Sequence, residues 1–171
     1  GEGGEVDDPA ATQWHRKAAE QGHAEAQHEL ALRLIEGAGV EPNVVEALEW
    51  LQLAAKQNLV PAQFNLGRHL WEGNGVPEDR ETAVKWLRLA AQANHTEAQY
   101  LLGCACADGV ARQRDPAAAP KWFRKAAAAV HAAAKLRLTQ YLQATASSAS
   151  DETEAFQLAQ LAAGQGMAMA Q

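Results

Sequence analysis

The chain has 171 residues, 47% of them hydrophobic, with a formal net charge of −6 and a pI near 5.5. That apolar content suffices for one cooperative core or one short array. The sequence lacks the basic stripe a phosphate-tracking protein needs, which argues against nucleic acid as a partner. No run of about 18 apolar residues is available to span a membrane, and no charged region followed by an apolar stretch marks a signal peptide.

Taken in chain order, the elements alternate between two helix types. Asp8-Pro9 places proline in a first helical turn, where its missing N–H costs nothing, and Trp14, Ala18 and Ala19 follow. Gly22 then reverses the chain. "AEAQHELALRLIEG" (24–37) reads as a helix A, with Ala26, Leu30 and Leu34 at helical spacing. Gly37 and Gly39 break it. "NVVEALEWLQLAAKQ" (43–57) is a helix B, with Ala47, Trp50 and Ala54 expected on its buried stripe. Asn58 stands where B must turn back. Glycine and asparagine best tolerate the left-handed conformation of such a cap. A second A helix follows, closed by "GNGV" (73–76). Its B helix has Asp79 as expected N-cap, Trp86 on the stripe and Asn94 at the reversal. The third A helix carries Leu102-Gly103 and both cysteines, Cys104 and Cys106. Its B helix is expected to start at Asp115-Pro116. The fourth unit departs from the pattern. Val130 holds the turn position, "ATASSASD" (144–151) is the connection, and Leu158 replaces tryptophan. Valine tolerates positive φ poorly, so this last unit is expected to be the least regular.

Four tryptophans, Trp14, Trp50, Trp86 and Trp122, are each 36 residues apart, and Ala-Ala pairs from Ala18-Ala19 to Ala162-Ala163 keep the same period. A fixed period of this length is the mark of a solenoid, in which stacked helix pairs bury a core that no single pair could. Ala31, Gly67 and Gly103 are small, so a neighbouring helix can come close there. The fold class expected is all-α, a solenoid of stacked antiparallel helix pairs with a 36-residue period. The expected organisation is one array over 1–171. It comprises a partial unit 1–22, repeats at about 23–58, 59–94, 95–130 and 131–166, and a partial unit 167–171. In phase, Gly1 and Gly3 align with Gly37 and Gly39, Gly166 aligns with Gly22, and "MAMAQ" aligns with "HAEAQ". The chain thus starts at an A–B turn and stops early in an A helix. This reads as a piece of a longer array whose uncapped ends permit end-to-end self-association.

The pattern A-x-x-x-L-G … G-x-G-V … D-x-x-x-A-x-x-W-x-x-x-A-A-x-x-G, clearest in "AQFNLGRHLWEGNGVPEDRETAVKWLRLAAQAN" (62–94), resembles the Sel-1-like repeat, a relative of the tetratricopeptide repeat. The resemblance covers essentially the whole chain. It implies a right-handed α-superhelix with A helices on the concave face and B helices on the convex face. It also implies a non-catalytic scaffold that binds a protein or peptide partner, in a bacterial periplasm or cytoplasm. A narrower reading is an immunity or inhibitor protein that neutralises a toxin or secreted effector. An enzyme acting on cell-wall or β-lactam substrates is the third, and it lacks the per-repeat disulfide on which that link rests.

The residues offer little chemistry. His23 and His95 share one repeat position with His131, too far apart to hold one metal ion. Cys104 and Cys106, two apart on a helix, point away from each other and lack a second pair at zinc spacing. Cys106 aligns with Leu34 and Leu70 as a core residue, whereas Cys104 lies off that stripe. No phosphate loop, nucleophile elbow or dinucleotide motif is present, and no catalytic, metal-binding or cofactor residues are assigned. Asn94-His95-Thr96 matches a glycosylation sequon, but Asn94 is already explained by its turn.

One tryptophan is off the period. With the core stripe removed, helix A of the first full repeat leaves His28, Leu32 and Ile35 on one face. The second leaves Phe64, Arg68 and Trp71, the third Tyr100, Cys104 and Ala107, and the fourth Leu136, Gln140 and Gln143. Glu72 edges this surface, as do Glu25, Glu29, Glu36, Glu97 and Asp108. Aromatics with an arginine inside a polar rim have the composition of an interaction hot spot. The acidic rim points to a partner segment that is basic and apolar.

Overall fold

The computed structural model describes residues 8–109, 116–129, 132–145 and 149–168, all as helices and the turns around them, with no strand among them. The expected features at Gly1, Gly3, Asp115, Val130, His131, residues 146–148 and 169–171 lie outside the described residues. Two compact units divide the chain, at Gly1–Ala93 and Asn94–Gln171.

The first unit holds α1 (Asp8–Glu20), α2 (Ala24–Glu36), α3 (Val44–Lys56), α4 (Val60–Glu72) and α5 (Arg80–Gln92), each 13 residues long, with α1 through α4 each packed on the helix that follows. The equal lengths follow from stop signals that recur with the period. Helices α2 and α4 end on Gly37 and Gly73, at φ 76° and 65°, whose N–H groups reach back to the Arg33 and His69 carbonyls. Helices α1, α3 and α5 reverse through Gly22, Asn58 and Asn94 at φ 90°, 65° and 65°, as the turn chemistry predicts. Asp79 is the N-cap of α5, its carboxylate accepting from the Thr82 N–H at 3.0 Å. Asn43, one period earlier, does the same for Glu46 at 3.1 Å. Thr82's hydrogen bonds hold the Asp79 carboxyl below its usual pKa.

The core of this unit is a leucine–alanine layer. Leu30, Leu34 and Leu51 are fully enclosed with Ala31, Ala47, Ala54 and Ala62. The periodic tryptophans are not at its centre. Trp50 and Trp86 are partly buried against the core, and Trp14 is 72% exposed. This corrects the expected buried stripe. Leu51 and Leu87, the residues after Trp50 and Trp86, point into the core, and the larger indoles lie at its edge. Two buried glutamines were not anticipated. Gln27 donates to the Ala19 carbonyl at 3.1 Å and Gln63 to the Ala55 carbonyl at 3.2 Å. Each ties the start of an A helix to the end of the preceding B helix, where carbonyls lack intrahelical donors.

The second unit holds α6 (Thr96–Asp108), a single 3-10 turn (Pro116–Ala118), α7 (Ala119–Ala128), α8 (Ala132–Thr145) and α9 (Ala149–Ala168). Helices α6 and α8 also touch side by side. Phe123, Leu102 and Leu138 form its core. Its last helix departs from the module: α9 runs 20 residues. It continues through Gly166, where the period predicts a reversal.

Helix pairs α1–α3 and α7–α9 are each fastened by an ion pair. Arg16 Nη1 lies 2.6 Å from Glu46 Oε1, which also accepts from the Trp50 indole N–H at 3.3 Å. Three repeats on, Arg124 makes a forked contact to Glu154, at 2.6 and 2.9 Å. Burial alone would push the Glu46 carboxyl up, but the hydrogen bonds from Arg16 and Trp50 outweigh it and hold its pKa below 4.5. An acid whose folded-state pKa is lowered stabilises the fold above its unfolded pKa and loses that contribution as pH falls through the folded value. Glu46→Gln is therefore expected to cost about 0.5–1 kcal/mol at pH 7, a partly solvent-screened pair. Urea titrations should show the gap to wild type shrinking below about pH 4.5, the ordinary value for this carboxyl.

Candidate partner-binding site

In the first unit the off-core face of the A helices is built from α2 and α4. Asn65 on α4 bridges to His28 on α2, with the amide nitrogen 2.9 Å from Nε2. The amide donates, so Nε2 accepts and the ring proton sits on Nδ1. Burial lowers the His28 pKa, more than Glu29 raises it, and keeps the ring in that neutral form. Leu32 and Ile35 are half-buried, and Ile35 packs against the core cluster. Phe64 is half-buried beneath Arg68, whose guanidinium lies 5.7 Å from the ring centroid. The Arg68 Nε is buried without a hydrogen-bond partner, and Arg68 makes no ion pair among the described residues. Trp71 is half-buried near the end of α4, where the Arg80 guanidinium of α5 lies 5.1 Å from its ring centroid. Arg80 in turn pairs with Glu78. Glu72 beside it is exposed.

In the second unit Tyr100 is half-buried, its ring 6.2 Å from Phe123. Cys104 differs from the expectation. It was placed off the core stripe and on the partner face, but it is 8% exposed. Its neighbour Tyr100, one turn back on α6, and Arg137 on α8, which touches α6, both interact with the Cys104 side chain. Burial, and then the Cys104 contact, raises the Tyr100 pKa. Cys106 is buried as expected. Beside this cluster is a cavity of about 230 Å³ lined by Ala107, Asp108, Phe123, Arg137, Gln140 and Tyr141. It takes in Ala107 and Gln140, two positions that the period puts on the partner face. It also takes in Arg137, a cation the sequence pattern did not single out because the fourth repeat carries it one position away from the stripe.

Histidine at the repeat's first position has a structural role at His95, whose Nδ1 accepts from the Ala98 N–H at 3.3 Å and caps α6. No group of three His, Cys, Asp or Glu among the described residues is arranged to hold a metal. No described helix is long and apolar enough to cross a membrane.

Repeated antiparallel helix pairs with glycine and asparagine stops define a helical-repeat protein of the α-solenoid class. The family model "Sel1 repeat" matches residues 1–23, 24–59, 60–95, 96–131 and 141–167, and the chain belongs to the Sel1-repeat family. Its fold resembles that of c5321, a protective antigen of uropathogenic Escherichia coli with an SLR fold. The TM-score is 0.81 at 27% identity, over 95% of this chain and 35% of that one. It also resembles a Sel1 repeat protein from Oxalobacter formigenes, with a TM-score of 0.75 at 33% identity, over 81% of this chain and 57% of that one. The chain thus spans about a third to somewhat over half the length of these two proteins. A looser match, to the immunity protein Pa5087 of Pseudomonas aeruginosa, has a TM-score of 0.46 at 17% identity, over 92% of this chain and 74% of that one. No curated protein matches the chain in sequence.

Proposed function

We propose that the chain is a non-catalytic scaffold that binds a protein or peptide segment on the off-core face of its A helices. The residues assigned are His28, Leu32, Ile35, Phe64, Arg68, Trp71 and Glu72, with Tyr100 in the second unit. The observation that carries this is Arg68, a half-buried cation stacked on Phe64 with a buried Nε that nothing bonds. Among the described residues Arg68 has no carboxylate of its own, and a partner's carboxylate or carbonyl meeting the outer edge of its guanidinium would supply one. Trp71 adds a large amphipathic surface that the repeat does not require, since Ile35 and Ala107 serve at the same position. The exposed Glu25, Glu36 and Glu72 favour basic residues flanking the segment.

The test is a pull-down from source-cell extract with mass spectrometry, comparing wild type with Phe64→Ala/Arg68→Ala/Trp71→Ala after circular dichroism shows both folded. A partner held by the wild type should bind the variant at least about 30-fold more weakly, since truncating a hot spot costs about 2 kcal/mol or more. Equal recovery by both proteins would return Trp71 to a packing role.

A further inference from the structure

The ion pair that fastens α1 to α3 and α7 to α9 is missing between α3 and α5. Gln52 stands where Arg16 and Arg124 stand, and Thr82 where Glu46 and Glu154 stand. A cavity of about 250 Å³ opens there. Leu48, Leu66 and Leu70 give it an apolar floor, and Trp86 is its wall. Val45 is 59% exposed at its mouth. The cavity is smaller than the roughly 300 Å³ at which small-molecule pockets begin, and it suits one long side chain. Glu49 is its one charged lining residue. Glu49 is exposed and makes no ion pair among the described residues. In the fastened α1–α3 pair the equivalent residue is the neutral Gln13.

We propose that this B-helix groove is a second docking site, and that it takes an arginine or lysine side chain of a partner protein. Where its own arginine is lost, the chain keeps the tryptophan wall and gains an unpaired carboxylate. A long basic side chain has the matching chemistry: its methylene stem covers Val45 and Leu48, its cation lies against the indole face, and its head reaches Glu49. An acidic side chain would meet Glu49 as a like charge, and an aliphatic one would leave it unpaired. This site is separate from the A-helix face and stands or falls independently of it.

The test uses the full 171-residue chain and three alanine-based helical peptides. One presents leucine and arginine four residues apart, and the other two carry citrulline or glutamate in place of the arginine. The readout is the Trp86 indole N–H resonance, assigned with Trp86→Phe. The arginine peptide should shift it saturably and bind at least tenfold more tightly than the other two. Glu49→Gln should weaken binding about tenfold. Gln52→Arg/Thr82→Glu, which installs the chain's own fastening, should abolish the shift while the helical spectrum is unchanged. Phe64→Ala/Trp71→Ala should not alter it. Equal shifts from all three peptides, no shift from any, or a shift that survives the closed groove would overturn the proposal. If the closed variant does not fold, Glu49→Gln decides. A concentration-dependent mass of the chain alone that Glu49→Gln abolishes would make a second copy the occupant and overturn it too.

Discussion

Glutamate in place of Gln63 should destabilise the first unit by about 3 kcal/mol at pH 7, more than the roughly 2 kcal/mol expected for Gln63→Leu. Gln63 is 3% exposed, and its amide donates to the Ala55 carbonyl at 3.2 Å. Leucine removes that donor and leaves the carbonyl with the Asn58 N–H at 3.0 Å. A carboxylate is worse, because it sets a buried negative charge against a carbonyl oxygen. The protonated acid, however, can donate as the amide does. Its folded-state pKa must rise above the unfolded value, so the folded state holds the proton more tightly and stability returns as pH falls. Urea denaturation from pH 7 to pH 4 should therefore show Gln63→Glu gaining on wild type and Gln63→Leu keeping a constant deficit. A pH-independent penalty for the glutamate variant would mean that the side chain swings out to water.

The second large effect sets two glycines against each other. A Cβ added at Gly103 would lie 2.6 Å from two ring carbons of Phe123, which is 1% exposed and enclosed on all sides. A Cβ added at Gly67 would lie 2.8 Å from Leu87 Cγ. These contacts look alike, but the chain already answers the second. One repeat earlier the same two positions hold Ala31 and Leu51, both fully buried in one cluster. Gly67→Ala should thus cost less than about 1 kcal/mol, with helix propensity offsetting part of the contact. Gly103→Ala should cost about 2–3 kcal/mol, because a planar ring cannot yield as a leucine does. Gly103→Ala/Phe123→Leu rebuilds the Ala31–Leu51 pair and should recover more than 1 kcal/mol relative to additivity in a double-mutant cycle. Additive costs would show that the helices separate instead.

The legibility of the sequence follows from what each signal depends on. Helix stops were readable because Gly37, Asn58, Gly73 and Asn94 answer to local backbone geometry, which one residue reveals. The leucine core was readable because it repeats. The burial of Trp50 and Trp86 was misjudged, since periodicity shows that a position matters without showing whether it is at the centre or the edge of a layer. Cys104 was misplaced for a related reason. Its stripe predicts the partner face, but α8 comes against α6 there, a contact between helices that the stripe does not carry. The burial of Gln27 and Gln63 carries no signal in the pattern, because their acceptors belong to the preceding helix. The turn expected at Gly166 rested on period alone, and α9 continues past it. On the candidate face, the Phe64–Arg68 stack could be read as an i, i+4 neighbour pair. The Arg80–Trp71 contact could not, because it joins two helices across a loop.

The matched pairs Ala31–Leu51, Gly67–Leu87 and Gly103–Phe123 each lie within one 36-residue repeat, whereas the Arg16–Glu46 and Arg124–Glu154 contacts join residues of successive repeats. Duplicating or deleting a whole repeat therefore carries its small-to-large fit along intact. Whether a fastening survives depends on the junction: deleting 23–58 would set Arg16 against Thr82 and remove one, whereas deleting 59–94 would leave both ion pairs in place. The small-to-large fit therefore belongs to the single repeat, whereas the state of each B-helix groove, open or closed, is written by which repeat follows which.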